Sequence, residues 1–338
     1  MRSILAAAAL AAFATGAAAE SYTMQSAFPG LPVLDPTAKR FVEKVATLTG
    51  GEVEFDYQLA GALSPPTEIF DNVGVGAIDA AWSYAAFAAG KEPAAALFGS
   101  VPFGGDPLSY ISWLHHGGGL EMWQEMYAPY NVVPMACGVI LSEAGGWYTK
   151  PVNSPEDLQG LNIRIGGLGG AILSKLGANA SGIPVGEIST SLETGRLDAT
   201  ELSFPLIDKL LGFNKVAKHY YFPGWHQPAG FIEFYMNKDK WDALSDAQRT
   251  AVEVSCADAN LYAMGIAAGA QSAVLEEFRA DGVDVKRFPD SVMDALRAAA
   301  DEVYAENSAK DPMFKRVIES YRAYAAAYKE YLALSDLN

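Results

Sequence analysis

A stretch of nineteen residues occurs twice in altered form, and this repetition limits the fold more than any other feature of the chain. Pro65–Ser83 reads PPTEIFDNVGVGAIDAAWS, and Pro184–Leu202 reads PVGEISTSLETGRLDATEL. At an offset of 119 residues the copies agree at Pro65/Pro184, Glu68/Glu187, Ile69/Ile188, Gly76/Gly195, Asp79/Asp198 and Ala80/Ala199. Each copy predicts a short helix, a glycine stop, and a strand entered through an apolar-Asp-Ala step. A glycine just past the last apolar helical position suits a left-handed cap, because it has no Cβ to clash there. Two copies imply two similar lobes. Ligands of open α/β sheets bind beyond the carboxyl ends of the strands. Trp82 aligns with Glu201, so an aromatic and a carboxylate are expected to face each other across a cleft.

The remaining pattern alternates strand and helix, as two α/β lobes require. Ser21–Ala27 reads as a first strand. Asp35 is expected to cap a helix whose apolar face holds Ala38, Phe41, Val42, Val45 and Leu48, with Gly50-Gly51 as its stop. Val53–Leu59 alternates as a strand. Asn162–Ile165 is a strand running into the glycines at 166–170 and a further helix. Val132–Leu141 and Gly230–Met236 are candidates for strands that cross between lobes. From Lys238 the chain turns helical. The last helix opens with Asp311 and Pro312 in the favoured first positions. In it Phe314, Val317, Tyr321, Tyr324, Tyr328 and Tyr331 recur every three or four residues. That stripe either packs against its own domain or forms a homodimer contact, since tyrosine is enriched at interfaces.

The N-terminus predicts export. Met1-Arg2, the apolar run Ile4–Ala14 and Ala17-Ala18-Ala19 form the three regions of a secretory signal over residues 1–19. About 320 residues remain, comfortable for two lobes. The chain has 24 basic and 40 acidic residues, net −16, which argues against nucleic acid as a partner. An anionic ligand must then be attracted by a local pocket rather than by the overall field. Of the two cysteines, Cys137 lies in a strand-like run far from Cys256. Their separation favours two buried thiols over a disulfide, and no metal-binding Cys/His spacing is present.

Catalytic signatures are lacking: there is no G-x-S-x-G, H-E-x-x-H or G-x-x-x-x-G-K-[ST]. The glycines at 166–170 lack the spacing of a dinucleotide loop, so no organic cofactor is expected. Arg164 stands out, because it interrupts an apolar strand directly before glycines and a helix start. A guanidinium there offers a planar fork to a carboxylate, helped by free N–H groups of the helix N-terminus. A structural arginine, salt-bridged at a strand end, is the competing reading. Trp82, Trp147, Phe204 and Trp225 are candidate cleft aromatics, with core packing as the alternative for each.

Four segments carry a family resemblance. They are LHHGGGLEMWQEMYAPYNV from Leu114, GGWYTKPVNSPEDLQGLNIRIGGLGG, GEISTSLETGRLDATE, and KVAKHYYFPGWHQP. In this order they span most of the chain and resemble the DctP-like extracytoplasmic receptors of tripartite ATP-independent periplasmic (TRAP) transporters. The likeness is greatest to the branch that binds 2-oxo acids with a metal ion, and the aromatic C-terminal helix resembles that branch too. The resemblance implies a periplasmic, non-enzymatic receptor that closes around a small 2-oxo or 2-hydroxy acid and delivers it to a membrane permease. It implies the two-lobed periplasmic binding protein fold, with a strand hinge and a long C-terminal helix. After the signal, 20–138 would be mainly lobe I, 139–230 mainly lobe II, 231–310 the return across the hinge, and 311–338 the last helix.

By the same resemblance, Arg164 binds the ligand carboxylate and Glu201 binds the metal, together with the carbonyl of residue 202. That residue is usually tryptophan and is Leu202 here, which keeps the carbonyl but not the indole surface. Glu143 stands where the branch usually places a glutamine ligand. Ligand, Glu143 and Glu201 would bring three negative charges against Arg164 alone, so a divalent cation, calcium before sodium, is expected to balance them. Leu202 and Glu143 also leave open a receptor for a larger or unusual carboxylate without metal. An exported metal-dependent hydrolase using Glu143 and Glu201 is a remote alternative, and a sensory receptor with the same site is another.

Overall fold

The computed structural model describes residues 20–335; the expected signal at 1–19 lies outside the described residues. In chain order the strands are β1 (Glu20–Ser26), β2 (Val53–Gln58), β3 (Ala80–Tyr84), β4 (Val132–Ile140), β5 (Gly146–Tyr148), β6 (Asn162–Arg164), β7 (Asn179–Ser181), β8 (Ala199–Thr200), β9 (His219–Phe222), β10 (Gly230–Asn237) and β11 (Asp284–Arg287). They form two sheets, β2-β1-β3-β10-β4 and β11-β9-β5-β8-β6-β7. Among the described residues no helix is long and apolar enough to cross a membrane.

The sequence repeat is a structural repeat. Pro65 and Pro184 have nearly the same backbone angles (φ −55°, ψ 139° and φ −56°, ψ 141°), and each opens a tight turn that continues into a helix, Ile69–Gly74 or Ile188–Glu193. Gly76 and Gly195 take positive φ (76° and 73°), a conformation that L side chains rarely adopt. The shared aspartates then tie each strand to its parallel neighbour. Asp79 accepts from the Thr23 backbone N–H of β1 (2.8 Å), and Asp198 accepts from the Asn162 N–H at the start of β6 (3.0 Å).

The two sheets also share an order. In the first, β2, β1 and β3 are parallel, followed by antiparallel β10 and then β4. In the second, β7, β6 and β8 are parallel, followed by antiparallel β5 and then β9. The strand after the parallel trio comes, in each case, from the chain leaving the other sheet. The crossings are therefore the links 141–145, between β4 and β5, and 223–229, between β9 and β10, beside the strands the sequence marked for that role.

Helix Asp246–Ala280 runs along both halves. Its start is fixed by Ser245, which accepts from the Gln248 N–H while the Gln248 side chain accepts from the Ser245 N–H. Val252, Cys256, Ala259, Ala263 and Ala267 bury against the first sheet, while Val274 and Phe278 join the core around Trp147 and Tyr220. The small residues let the helix approach β4 closely enough for the Asn260 side chain to donate to the Ala136 carbonyl (2.9 Å). This close approach corrects the cysteine expectation. Cys137, on β4, and Cys256, on the helix, form a disulfide rather than two separate thiols.

One helix end differs from expectation and another agrees with it. The first helix is Leu34–Leu48, and Asp35 lies inside its first turn, bonded to Lys39 (2.8 Å) rather than capping. The last helix is Pro312–Ser335, and the Asp311 side chain accepts from the Met313 N–H (2.8 Å). Its tyrosine stripe divides. Phe314, Val317 and Tyr321 are buried, with Tyr321 edge-on to Trp113, whereas Tyr331 is 63% and Leu334 84% exposed.

Candidate carboxylate and cation site

The crossing links and the carboxyl ends of β6 and β8 meet at one point. Glu201 directly follows β8, and its N–H donates to the Arg164 carbonyl (2.9 Å), extending the β6–β8 ladder by one bond. Arg164 Nη1 donates to the Glu201 carbonyl and lies 3.7 Å from Glu201 Oε2. Glu143 is held by the links themselves: its N–H donates to the Gln227 carbonyl (3.1 Å), and its own carbonyl accepts from the Gly224 N–H (2.9 Å). Residue 224 must be glycine, because a Cβ there would fall 2.3 Å from the Glu143 carbonyl oxygen. This crossing places His226 between the carboxyl groups, with Nε2 3.2 Å from Glu143 Oε2 and 3.0 Å from Glu201 Oε1.

These groups line a cavity of about 580 Å³ to which residues of both lobes contribute. Tyr84, Glu143, Arg164, Glu201, His226 and Gln227 supply its polar wall, and the Tyr84 hydroxyl donates to Gln227 Oε1 (2.7 Å). Gly166, Gly167 and Leu202 also line it. A hollow of about 700 Å³ between Gln124 and Glu253 holds none of the predicted site residues.

Electrostatics separates the two carboxyl groups. Burial dominates at Glu143 and pushes it up to about 8, against the hydrogen bond from His226. Burial also opposes charge on Glu201, but the neighbouring positive His226, with Arg164 beside it, holds Glu201 below the usual carboxylate range. Burial likewise disfavours an imidazolium at 226, yet Glu201 and Glu143 together raise it to about 10. The charge balance expected from sequence is therefore incomplete: Arg164 is not the sole positive group, because His226 is a second.

The residues present nevertheless fit a cation. One donor atom from each of Glu143, Glu201 and His226 lies within 4.8 Å of the others. Glu201 Oε1 meets His226 Nε2 (3.0 Å), and Arg164 Nε is buried without a hydrogen-bond partner. An orphaned buried guanidinium N–H is costly unless something else is bound there. Glu143 and Glu201 offer the oxygen donors that hard cations take, with Leu202 next in the chain; nitrogen from His226 is not a usual donor to such ions.

The structure thus brings together Arg164, Glu143, Glu201 and Leu202. It does not bring the four predicted aromatics to the cavity wall. Trp82 is fully buried against Phe41 (5.6 Å between ring centres). Trp147 stacks on Tyr220 (4.0 Å) and donates to Asp208 (2.9 Å). Trp225 stacks on Phe103 (5.7 Å), and Phe204 is buried in the first-sheet core. The repeat pointed to the right strand and fell two residues short. Trp82 lies within the sheet, whereas Tyr84, on the same face at the carboxyl end of β3, reaches the cavity. Sequence reasoning also missed His226 and Gln227. Their signal was a polar pair in the link entering the crossing strand β10, the counterpart of the link that holds Glu143.

A family model for bacterial extracellular solute-binding proteins, family 7 (DctP), matches residues 29–311. A monocarboxylate 2-oxoacid-binding periplasmic protein from Nostoc sp. is 33% identical over 287 residues, covering 85% of this chain and 79% of the relative. Two TRAP solute-binding proteins of known structure are similar throughout. The one from Bordetella bronchiseptica, with copurified calcium and picolinate, is 33% identical, with a TM-score of 0.88 and 94% of each chain covered. The one from Colwellia psychrerythraea, with bound calcium and pyruvate, is 30% identical, with a TM-score of 0.90 and coverage of 94% of this chain and 98% of the other. The two-lobed fold agrees with these matches over nearly the whole chain, which belongs to the DctP family of TRAP-transporter solute receptors and is not an enzyme.

Proposed function

We propose that this chain is a periplasmic receptor that binds a 2-oxo monocarboxylate, with a cation, between its two lobes and hands it to a TRAP membrane permease. The observation that carries the reading is the meeting on the cavity wall of Arg164, whose Nε is buried without a partner, with Glu201 and Glu143, whose carboxyl groups share His226. In this reading the Arg164 guanidinium takes the ligand carboxylate, and Glu143, Glu201 and the Leu202 carbonyl hold the ion. His226 pairs with the two carboxyl groups and limits their repulsion. A bound calcium ion supplies positive charge and open positions for ligand oxygens. The relatives that carry calcium with pyruvate or picolinate support this assignment.

Residues 20–138 and 139–230 form the bulk of the two lobes in this reading, and 231–310 complete both. Closure occurs at the links 141–145 and 223–229, the hinge motion of periplasmic binding proteins. The exposed end of the last helix, with Tyr331 and Leu334, is assigned to a homodimer contact. Tyr331→Glu with Leu334→Glu is expected to convert a dimer to a monomer in light scattering; an unchanged mass removes the helix from the interface.

A thermal-shift screen of small carboxylates, with calcium and with chelator, tests the main reading. Binding stabilises by about 2.7 kcal/mol at a hundredfold excess over Kd. A 2-oxo acid is expected to raise Tm in calcium and to do so much less in chelator. Absence of any shift by 2-oxo acids would overturn the assignment.

A further inference from the structure

We infer that the preferred ligand is a 2-oxo monocarboxylate carrying a sizeable apolar body, of roughly five to eight carbons in all, rather than a three-carbon acid; this rests on the receptor reading above. The charged groups of the cavity cluster together, and most of the remaining lining is apolar, with Leu31, Leu34 and Phe87 from one lobe and Val185, Leu202 and Leu211 from the other. Its volume of about 580 Å³ falls within the roughly 300–1,000 Å³ typical of pockets that enclose drug-sized ligands. That equals about twenty water volumes, at roughly 30 Å³ each. A three-carbon acid held at Arg164 would leave most of this wall wet.

The lining charges point the same way. Among the described residues Arg164 is the only lysine or arginine on the cavity wall, and it is taken up by the head carboxylate. A second carboxylate would find no further lysine or arginine among the described lining residues and mostly apolar side chains around it, so its transfer from water is costly. Dicarboxylates are therefore disfavoured. Phe87 is 61% and Val185 42% exposed, one on each side of the cavity. An apolar ligand body between them gives both a surface to cover as the lobes close.

The magnitude follows from transfer energetics. Each methylene removed from water is worth about fourfold in Kd. Five added methylenes set an upper bound near a thousandfold, and ordering the flexible tail takes back part of it. An advantage of at least about thirtyfold over pyruvate is expected for 2-oxooctanoate.

The test is isothermal titration of the mature protein, in calcium, with pyruvate, 2-oxohexanoate, 2-oxooctanoate and 2-oxoglutarate. Affinity is expected to rise along the three monocarboxylates, with 2-oxoglutarate weaker than 2-oxohexanoate. Phe87→Ala, at an exposed position that does not endanger folding, should weaken 2-oxooctanoate at least fivefold more than it weakens pyruvate. If pyruvate binds as tightly as 2-oxooctanoate, or 2-oxoglutarate as tightly as 2-oxohexanoate, the inference is overturned while the receptor reading stands. If Phe87→Ala weakens both ligands equally, the apolar wall is not where the body lies and the inference also fails. If none of the four acids binds, both fall.

Discussion

Replacing Arg164 by alanine separates a ligand-binding arginine from a structural one. The side chain is 19% exposed and shares Nη1 with the Glu201 carbonyl, while Nε is buried with no partner. Removing one partner of a buried charged pair in an interface costs about 2–5 kcal/mol. Arg164 keeps some contact with solvent, so screening places the loss in the lower half, at about 2–3 kcal/mol, or roughly 30- to 150-fold in Kd. Arg164→Lys keeps the charge and loses the planar fork, so an intermediate loss of about tenfold is expected. The assay is calorimetric titration with a 2-oxo acid in calcium, paired with the ligand-free Tm of each variant. Ligand binding predicts a large change in Kd with a ligand-free Tm within a few degrees of the parent. A Kd within threefold of the parent, together with a large fall in Tm, would refute the reasoning and make Arg164 a structural residue.

Two further predictions concern stability. The Cys137–Cys256 bond closes a loop of 119 residues, which in the chain-entropy picture stabilises by about 5 kcal/mol. Cys137→Ala with Cys256→Ala should lose an amount of that order in urea unfolding, and a loss under about 1 kcal/mol would contradict it. Glu233 lies buried on β10 beside the Tyr127 hydroxyl (3.3 Å), and burial raises its carboxyl to about 8. The folded state then keeps a proton that the unfolded chain releases above its own pKa near 4.3, so this contribution is complete below that pH and is lost as pH rises toward 8. Over that window stability should fall by up to about 1.4 kcal/mol per pH unit from this group, and Glu233→Gln should remove that slope. An identical slope in the variant would assign the pH dependence elsewhere.

What the sequence disclosed was largely local. The repeated proline, glycine and aspartate fix one turn–helix–strand unit by short-range geometry, so the unit and its pairing in two lobes were readable. Glu201 was readable because it ends the strand of that unit, and Arg164 because it interrupts an apolar strand directly before glycines. Features set by packing over long sequence distances were not. The disulfide needs the Asp246–Ala280 helix to lie close on β4, and no spacing along the chain encodes that approach. His226 reaches Glu143 because one crossing link is laced to the other at Gly224, across about eighty positions of sequence. The tryptophans were misplaced because a large aromatic near a strand end fills a core as readily as a cleft. Trp82 and Tyr84 share a face of β3, and only depth within the sheet distinguishes them.

The central claim is that a cation and a ligand carboxylate meet at Glu143, Glu201 and Arg164. A crystal structure of the mature protein grown with calcium and 2-oxohexanoate, with anomalous data collected at long wavelength, tests it most directly. The account predicts one anomalous peak within coordination distance of the Glu143 and Glu201 carboxyl groups and of a ligand oxygen, with the ligand carboxylate on Arg164. A bound acid with no ion beside Glu201, or one whose carboxylate lies away from Arg164, would contradict it.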